Sequence, residues 1–245
     1  MMRADVVLLP KDLRSEHLDG RVVVVFDVLR ATTSMTAALA AGVKEIRIFG
    51  DISLAATART AFEGLAILCG EQNALPPPGF DLGNSPPAFT GERCSGRTAF
   101  ISTTNGTRAI LAAKGAAAIL VGALVNASAV ARAVAESGLS VTLLCSGTNG
   151  QAAMEDLIGC GAVLEALAKL RPVVDDSDVA QIARRLFAAV RHDLPAALRE
   201  SYGGRNVLGV GLAADIDFAA KLDSLDVVGR VRGDPPVVVC AGQRA

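Results

Sequence analysis

Short hydrophobic runs alternate with Ala-rich segments along most of the chain. The clearest run is Val-Val-Val-Val-Phe at 22–26. Its unbroken apolar, largely β-branched character is typical of a strand buried on both faces of a parallel sheet. Similar runs predict strands at 6–9, 45–49, 66–69, 98–101, 117–121, 141–145, 227–231 and 237–240. The intervening segments predict helices at 33–41, 53–63, 126–137, 151–170, 176–192, 194–199 and 214–222, and one that ends near 113.

This alternation predicts an α/β fold with three α/β/α layers around a largely parallel or mixed sheet. A strand, a polar turn and a helix recur three times, with turns at 27–34, 102–107 and 146–150. Two turns contain Thr-Asn-Gly, which is a weak sign of internal duplication. No shift in composition marks a boundary, so residues 1–245 are interpreted as one domain, with two intertwined halves as the alternative.

The three turns predict a single crevice. In sheets of this kind ligands bind beyond the carboxyl ends of the strands. If the three strands run parallel, their turns share one edge of the sheet. We then expect a convergence of the polar side chains Asp27, Ser102, Thr103, Asn105 and Ser146.

A long segment without helix or strand periodicity, residues 70–97, predicts one wall of that crevice. Long irregular loops are uncommon in compact domains and often functional. This one carries Glu71, Asp81 and Asn84 among glycines and prolines.

Composition and charge narrow the functional classes. The chain is 51% hydrophobic but only 4% aromatic, and its 24 basic residues nearly balance its 25 acidic ones. No basic stretch favours nucleic acid as a partner. The N-terminus lacks the apolar region of a signal peptide and no segment is long enough to cross a bilayer, so we expect a cytoplasmic protein without a membrane partner. The Ala-rich helices are compatible with a homodimer without requiring one.

The cysteines and histidines give little sign of a zinc or disulfide site. The five cysteines are widely spaced and form no CxxC pair. His17 and His192 lie in polar or helical contexts, which favours surface positions. Cys145 ends a predicted strand and is a candidate nucleophile, although a small buried side chain needs no such role.

The polar turns favour anion binding. Helix N-termini attract anions, and arginine binds phosphate, sulfonate or carboxylate through paired N–H donors. Ordinary capping explains one hydroxyl or amide in each turn but not three or four. The predicted substrate-binding residues in the turns are Arg30, Thr32, Thr33, Thr103, Thr104, Asn105, Gly106, Thr107, Arg108 and Ser146, and the loop adds Asn84 and Ser85.

The acidic residues favour a magnesium site. Mg²⁺ prefers oxygen ligands, usually one or two carboxylates completed by water and substrate oxygens. The candidate ligands are Asp27, Glu71, Asp81, Glu155 and Asp156. Capping of the next turn is the alternative for Asp27, and the helix dipole explains acids at 155 and 156 equally well. The residues alone therefore indicate an anion-binding, metal-dependent α/β enzyme.

Five blocks of sequence together resemble the 2-phosphosulfolactate phosphatase family. They are DVLRATT at 27–33, GFDLGNSP at 79–86, TTNGTRA at 103–109, NAS at 126–128 and ED at 155–156. The resemblance implies a distinct α/β/α fold and a Mg²⁺-dependent phosphatase that converts 2-phosphosulfolactate to sulfolactate and phosphate, a step of coenzyme M biosynthesis. The chain departs from the family at 70–74, which reads GEQNA, at 201–205, which reads SYGGR and lacks a histidine, and at 219–220, where a cysteine is replaced by alanine.

On this basis we predict hydrolysis of a small anionic phosphate ester. The predicted catalytic residues are Asp27, Arg30, Asp81 and Asn105. A metal-bound water is the expected attacking group, with Asp27 or Cys145 as less favoured nucleophiles. Two alternatives remain: a non-catalytic sensor of small phosphorylated or sulfonated acids, and a transferase that depends on Cys145.

Overall fold

A computed structural model describes residues 1–242 and contains one ten-stranded mixed sheet. Its strands are β1 Met2–Val7, β2 Val22–Phe26, β3 Glu45–Phe49, β4 Ala66–Gly70, β5 Thr98–Ser102, β6 Ala118–Gly122, β7 Val141–Cys145, β8 Val173–Asp175, β9 Gly229–Arg232 and β10 Val237–Cys240. Its helices are α1 Ala31–Ala40, α2 Ile52–Thr60, α3 Gly91–Cys94, α4 Gly106–Ala112, α5 Ala127–Ser137, α6 Met154–Leu170, α7 Asp178–Val190, α8 Leu194–Glu200, α9 Tyr202–Gly209 and α10 Ala213–Ala219.

The strand at 22–26 lies at the centre of the hydrophobic core, as its sequence predicts. All five of its residues are buried. Val22, Val24 and Phe26 belong to a cluster that includes α5, α6 and α7, whereas Val23 and Val25 belong to a second cluster with α1 and α4. Because successive side chains of a strand point to opposite faces, the sheet separates two apolar layers. The three-layer α/β/α prediction is confirmed.

The sheet consists of two parallel groups that run in opposite directions. The first group is β4-β5-β3 and the second is β6-β2-β7-β1-β8. Between them, β3 pairs with β10, β10 with β9, and β9 with β6, all antiparallel. Three successive reversals leave the two groups antiparallel to each other.

This arrangement corrects one expectation from the sequence. The strands that precede the turns at 27 and 102 belong to different groups, so their carboxyl ends do not share one edge of a parallel sheet. The turns nevertheless meet: a Cβ atom built on Gly106 would lie 2.5 Å from the Cβ of Ala31. This contact shows that the carboxyl ends of strands from the two groups lie together.

Several elements differ from their predicted bounds. The first strand begins at Met2 rather than at residue 6. Buried Met2 and Ala4 alternate there with Arg3 and Asp5, so the sequence shows no continuous apolar run before residue 6. The sequence also gave no sign of α3, β8 or α9. The long helix starts at Met154 rather than 151, because residues 148–151 form a tight turn with mutual backbone hydrogen bonds between Thr148 and Gln151.

The two Thr-Asn-Gly turns have different conformations. Asn105 has a φ of −112° and directly precedes α4, whereas Asn149 has a φ of 52° within the tight turn before α6. The repeated tripeptide therefore does not mark a repeated local structure. No helix within residues 1–242 combines the length and the apolar character needed to cross a bilayer.

Candidate active site

A polar cavity of about 470 Å³ lies where the turns after β2, β5 and β7 meet the start of the long loop and helix α9. The turns and the loop contribute Asp27, Leu29, Arg30, Glu71, Asn73, Ala74, Asn84, Thr103, Thr104, Asn105, Thr148 and Asn149. A wall that the sequence did not predict contributes Gly203, Arg205, Asn206, Val207, Gly209 and Val210.

Asp27 is a buried carboxylic acid at the end of β2. Its Oδ1 accepts the N–H of Ala31 at 3.1 Å, and its own N–H donates to Thr32 Oγ1 at 3.0 Å. Burial raises the pKa of Asp27 to about 6, and the nearby carboxylates of Glu71 and Glu155 raise it further against the opposing effect of the Ala31 N–H and Arg30. Asp27 can therefore exchange a proton near neutral pH.

Asp156 joins two of the turns from beneath. Its Oδ1 accepts the N–H of Val28 at 2.8 Å, and its Oδ2 accepts Ser146 Oγ at 3.2 Å and the N–H of Gly147 at 3.1 Å. Burial raises the pKa of Asp156 well above its usual range, with Glu155 and Asp27 adding to the effect. Because Asp156 does not line the cavity and both of its oxygens are occupied, it holds the turns together.

Glu155 is buried behind the cavity against α9. Burial raises its pKa, while hydrogen bonds from its own N–H, from Ser201 and from the N–H of Gly203 lower it. A Cβ atom on Gly203 would lie 1.9 Å from Glu155 Oε1, so only glycine fits at this point of the wall. Glu155 Oε2 has no hydrogen-bond partner within residues 1–242.

Glu71 connects the long loop to the turn after β5. Its Oε1 accepts both the N–H and the Oγ1 of Thr104, at 2.9 and 2.6 Å, and its Oε2 accepts the N–H of Ala74 at 2.8 Å. Glu71 lines the cavity with Asp27, so two of the predicted metal ligands face the same space.

Arg30 lies in the cavity floor in a buried ion pair. Its Nη1 donates to Asp215 Oδ2 at 2.7 Å, and its Nη2 donates to the carbonyl oxygen of Ala74 at 2.6 Å. Arg30 is 4% exposed and Asp215 is 1% exposed. Asp215 also accepts Ser85 Oγ at 2.5 Å. Asp215 lies 185 positions from Arg30, and no feature of the sequence singled it out.

The loop motif at 79–86 enters the cavity through Asn84. This side chain is 4% exposed, and its Oδ1 has no hydrogen-bond partner within residues 1–242. Ser34 Oγ donates to the Asn84 carbonyl oxygen at 2.8 Å, which fixes the backbone there. Asp81 lies outside the cavity lining, where it is exposed and its Oδ2 accepts the N–H of Leu68 at 2.8 Å. In this geometry Asp81 anchors the loop to β4.

Most of the hydroxyls predicted to bind substrate are engaged by the protein itself. Thr33 Oγ1 donates to the Val28 carbonyl oxygen at 2.7 Å, and Thr107 Oγ1 donates to that of Thr103 at 2.6 Å. Together with the contacts of Thr32, Ser85 and Ser146 described above, these bonds shape the turns. Gly106 is likewise structural, because a Cβ there would meet Asp27 Oδ2 at 2.9 Å. Only Thr103, Thr104 and Asn105 of the 103–108 segment line the cavity.

The exposed arginine at the cavity is Arg205, not Arg108. Arg108 is exposed on α4 and outside the cavity lining. Arg205 lies on α9, donates to the Glu200 carbonyl oxygen, and lowers the pKa of Glu155 by its charge. It belongs to the SYGGR block, which contained the only sequence signal for this wall.

The structure bears on the metal and nucleophile candidates in different ways. Within residues 1–242 no three carboxylate, histidine or cysteine side chains form a metal-binding cluster. Asp27, Glu71 and Asn84 still line the cavity with oxygen-bearing side chains, which is the ligand type Mg²⁺ prefers. Cys145 is fully buried with its Sγ 3.6 Å from Cys160 Sγ, and this contact and burial raise its pKa well above the usual value. Such a thiol is inert as a nucleophile.

Comparisons with known proteins point to one family. A family model described as 2-phosphosulpholactate phosphatase matches residues 7–234. A protein of Carboxydothermus hydrogenoformans named "Probable 2-phosphosulfolactate phosphatase" is 38% identical over 228 residues, which cover 93% of this chain and 92% of that protein. Proteins with the same name from Symbiobacterium thermophilum and Synechococcus sp. are each 38% identical, over 87% and 89% of this chain and 92% and 91% of theirs.

Proposed function

The chain belongs to the 2-phosphosulpholactate phosphatase family of phosphoric monoester hydrolases, and from this premise we propose that it hydrolyses 2-phosphosulfolactate to sulfolactate and inorganic phosphate. The relatives carry this substrate in their names. We further propose that the reaction is Mg²⁺-dependent and serves a step of coenzyme M biosynthesis in the cytoplasm, a reducing compartment in which the five free cysteines would stay reduced.

The observation that carries the proposal is the meeting of Asp27 with Arg30 in one polar cavity. A phosphatase needs positive donors for the phosphoryl oxygens and a group that handles the proton of the attacking water. Arg30 offers fixed N–H donors, and Asp27 has a pKa of about 6. Both functions are therefore available within the same 470 Å³ space.

The substrate has three anionic groups, and the cavity lining offers donors from several elements. Arg30 and the segment 103–105 are suited to the phosphoryl group, because they lie beside Asp27. Arg205 on the α9 wall is suited to the sulfonate or carboxylate. The backbone and side chains of Asn105 and Asn149 add neutral donors.

The donor set fits Mg²⁺ without forming a cage for it. Glu71 would hold the ion, and the unpartnered Oδ1 of Asn84 is an acceptor that lacks a donor, which leaves Asp27 to handle the proton. Mg²⁺ usually keeps several waters and uses only one or two protein carboxylates, so a cluster of three acids is not required. When bound, the ion would neutralise charge on the phosphoryl oxygens.

The proton balance assigns Asp27 a role in the hydrolysis. The oxygen of water forms a bond to phosphorus while the bond between phosphorus and the C2 oxygen breaks. Asp27 accepts the proton released by the water, and the C2 oxygen takes up a proton from solvent to give the hydroxyl of sulfolactate. Arg30 stabilises the charge that develops on the phosphoryl oxygens.

Phosphate release from 2-phosphosulfolactate tests the proposal. We expect turnover by the wild type, loss of turnover in EDTA, recovery with Mg²⁺, and a decrease of at least about a hundredfold in kcat for Asp27→Asn. Asp19→Asn, at an exposed position outside the cavity, is the matched control. Tight binding of the substrate without release of phosphate would favour the sensor alternative, and undiminished turnover in EDTA would refute the metal dependence.

A further inference from the structure

Asp215 is buried next to the cavity but does not line it. Its Oδ2 accepts Arg30 Nη1 at 2.7 Å, and its Oδ1 accepts Ser85 Oγ at 2.5 Å. The residue is 1% exposed, and both oxygens are engaged. Asp215 therefore has no route to contact substrate directly and can act only through its two partners.

The first partner, Arg30, is oriented by two hydrogen bonds, one from each terminal nitrogen of its guanidinium group. A guanidinium has five N–H donors in a fixed fork. One donor goes to Asp215 and one to the Ala74 carbonyl oxygen, at 2.6 Å. Three donors remain, and Arg30 itself lines the cavity. Because the group is planar and rigid, fixing two donors fixes the direction of the rest.

The second partner, Ser85, fixes the loop at the point where it enters the cavity. Ser85 directly follows Asn84, which lines the cavity and whose buried Oδ1 has no hydrogen-bond partner within residues 1–242. The carbonyl oxygen of Asn84 is held separately by Ser34 Oγ at 2.8 Å. The bond from Ser85 to Asp215 therefore holds Asn84 in register with Arg30.

We propose that Asp215 is a positioning residue for the phosphatase reaction, which fixes Arg30 and Asn84 relative to each other in the cavity. One carboxylate on α10 holds the turn after β2 and the long loop together. This role rests on the proposed function, since it assigns Arg30 to the phosphoryl group. It extends that function by adding a residue outside the cavity to the anion-binding arrangement.

Loss of the charge and loss of positioning are expected to change the phosphate affinity of Asp215→Asn in opposite directions. The substitution removes a negative charge next to Arg30, so electrostatics alone would tighten the binding of phosphate. Loss of position would weaken it, because a donor group displaced by about 1 Å forfeits much of its effect. We expect Asp215→Asn to lower the affinity for inorganic phosphate, measured by calorimetry, by at least about fivefold and to lower kcat/KM by at least about tenfold.

Asp217→Asn is the matched control on the same helix. Asp217 forms an ion pair with Arg199, but both side chains are about half exposed. We expect unchanged phosphate affinity and unchanged kcat/KM for this variant. Arg30→Gln alone and Arg30→Gln with Asp215→Asn complete a double-mutant cycle. If Asp215 acts in part through Arg30, the loss in the double variant is smaller than the sum of the two single losses, whereas an independent structural effect would add to that of Arg30→Gln.

Ser85→Ala provides a second test if Asp215→Asn does not fold. It removes only the bond from Ser85 to Asp215, and we expect a severalfold loss of phosphate affinity in a protein that still folds. Unchanged or tighter phosphate binding in both folded variants would overturn the inference, as would a wild type that binds no phosphate. A wild type that binds phosphate but does not hydrolyse 2-phosphosulfolactate would refute the proposed function while the affinity comparison still tests Asp215.

Discussion

At the scale of single residues, the buried carboxyl group of Asp27 is suited to proton transfer but lowers the stability of the fold. Its carboxyl group is buried and within the influence of Glu71 and Glu155, which raises its pKa from 3.8 to about 6. A raised pKa means that the folded protein holds this proton more tightly than the unfolded chain does. At neutral pH the ionised form of Asp27 therefore lowers the stability of the folded protein.

We predict that Asp27→Asn is less active but more stable at neutral pH. Below about pH 4 Asp27 is protonated in both states and carries no penalty. Between about pH 4 and 6 the unfolded chain loses its proton first, so wild-type stability falls, and above pH 6 the deficit reaches about 3 kcal/mol. Urea unfolding in EDTA at pH 4 and pH 7 measures the difference between the two proteins. A difference that does not grow with pH would contradict the raised pKa.

A second prediction concerns Arg108 and Arg205. The sequence predicted that Arg108 binds substrate, whereas the structure places Arg205 at the cavity. Arg205 lines the cavity, whereas Arg108 lies outside it. We expect Arg205→Ala to raise KM by about tenfold with little change in kcat, because an exposed charge supports binding more than chemistry. Arg108→Ala is expected to leave both constants unchanged. Steady-state kinetics at low and high salt checks this, since screening should shrink the effect at Arg205. A larger effect at Arg108 than at Arg205 would favour the assignment made from sequence.

The residues that sequence reasoning found and missed differ in how their roles are encoded. Asp27, Arg30 and Asn105 follow hydrophobic strands directly, so local pattern suffices to find them. Asp215 reaches the site only through tertiary packing of α10, which leaves no local trace, whereas Arg205 on α9 was signalled only by the SYGGR block. Asp81 illustrates the reverse case, since it lies in the most specific motif but hydrogen-bonds the backbone of β4.

At the scale of elements, the site depends on close contact between α1 and α4. These helices follow strands of the two oppositely directed groups. Gly106 begins α4, and a Cβ there would lie 2.5 Å from that of Ala31 and 2.9 Å from Asp27 Oδ2. The Cβ of Ala31 and the Oδ2 of Asp27 cannot move away without shifting α1 or the turn after β2. The glycine of the TTNGTRA block therefore sets the distance between the two groups of strands at the cavity.

We predict that Gly106→Ala disturbs both stability and catalysis. Overpacking at a buried contact costs about 1–3 kcal/mol, and the displaced Asp27 should lower kcat. Gly91→Ala is the matched control, because Gly91 starts the short helix α3 and a Cβ there meets nothing within 4 Å. Chemical denaturation and steady-state kinetics of both variants test the prediction. A Gly106→Ala protein with wild-type kcat would show that the contact can relax without consequence.

At the scale of the whole molecule, β9 and β10 join the two groups of strands. Val238 on β10 is fully buried and is paired with Ile46 on one side and Val231 on the other. The hydrophobic pattern of residues 227–231 and 237–240 predicted these strands, although the first is shifted to 229–232. Their place in the middle of the sheet could not be predicted, because strand order depends on long-range pairing rather than on local periodicity.

We predict that substitutions in β10, which with β9 joins the two groups of strands, destabilise the protein only where the side chain is buried. Val238→Thr places a hydroxyl in the core and should lower the free energy of unfolding by about 1–3 kcal/mol. Val239→Thr, at the next and partly exposed position, is expected to cost less than about 0.5 kcal/mol. Hydrogen exchange in both variants also tests the one-domain interpretation. Loss of protection in β3-β5-β4 without loss in β2-β7-β1 would favour two separable halves.

The strands β9 and β10 form a hairpin in the middle of the sheet, and this position has a consequence for how the protein is synthesised. Synthesis proceeds from the N-terminus, and β9 and β10 are the last of the ten strands to leave the ribosome. The two outer groups can form earlier, but each then exposes an unpaired edge at β3 or β6 until the hairpin arrives. The cavity lies between those groups, so a nascent chain that lacks residues 229–240 holds all the acidic residues of the site but not their arrangement. Activity should therefore appear only at the end of translation, and ribosome stalling before that point would leave an aggregation-prone intermediate.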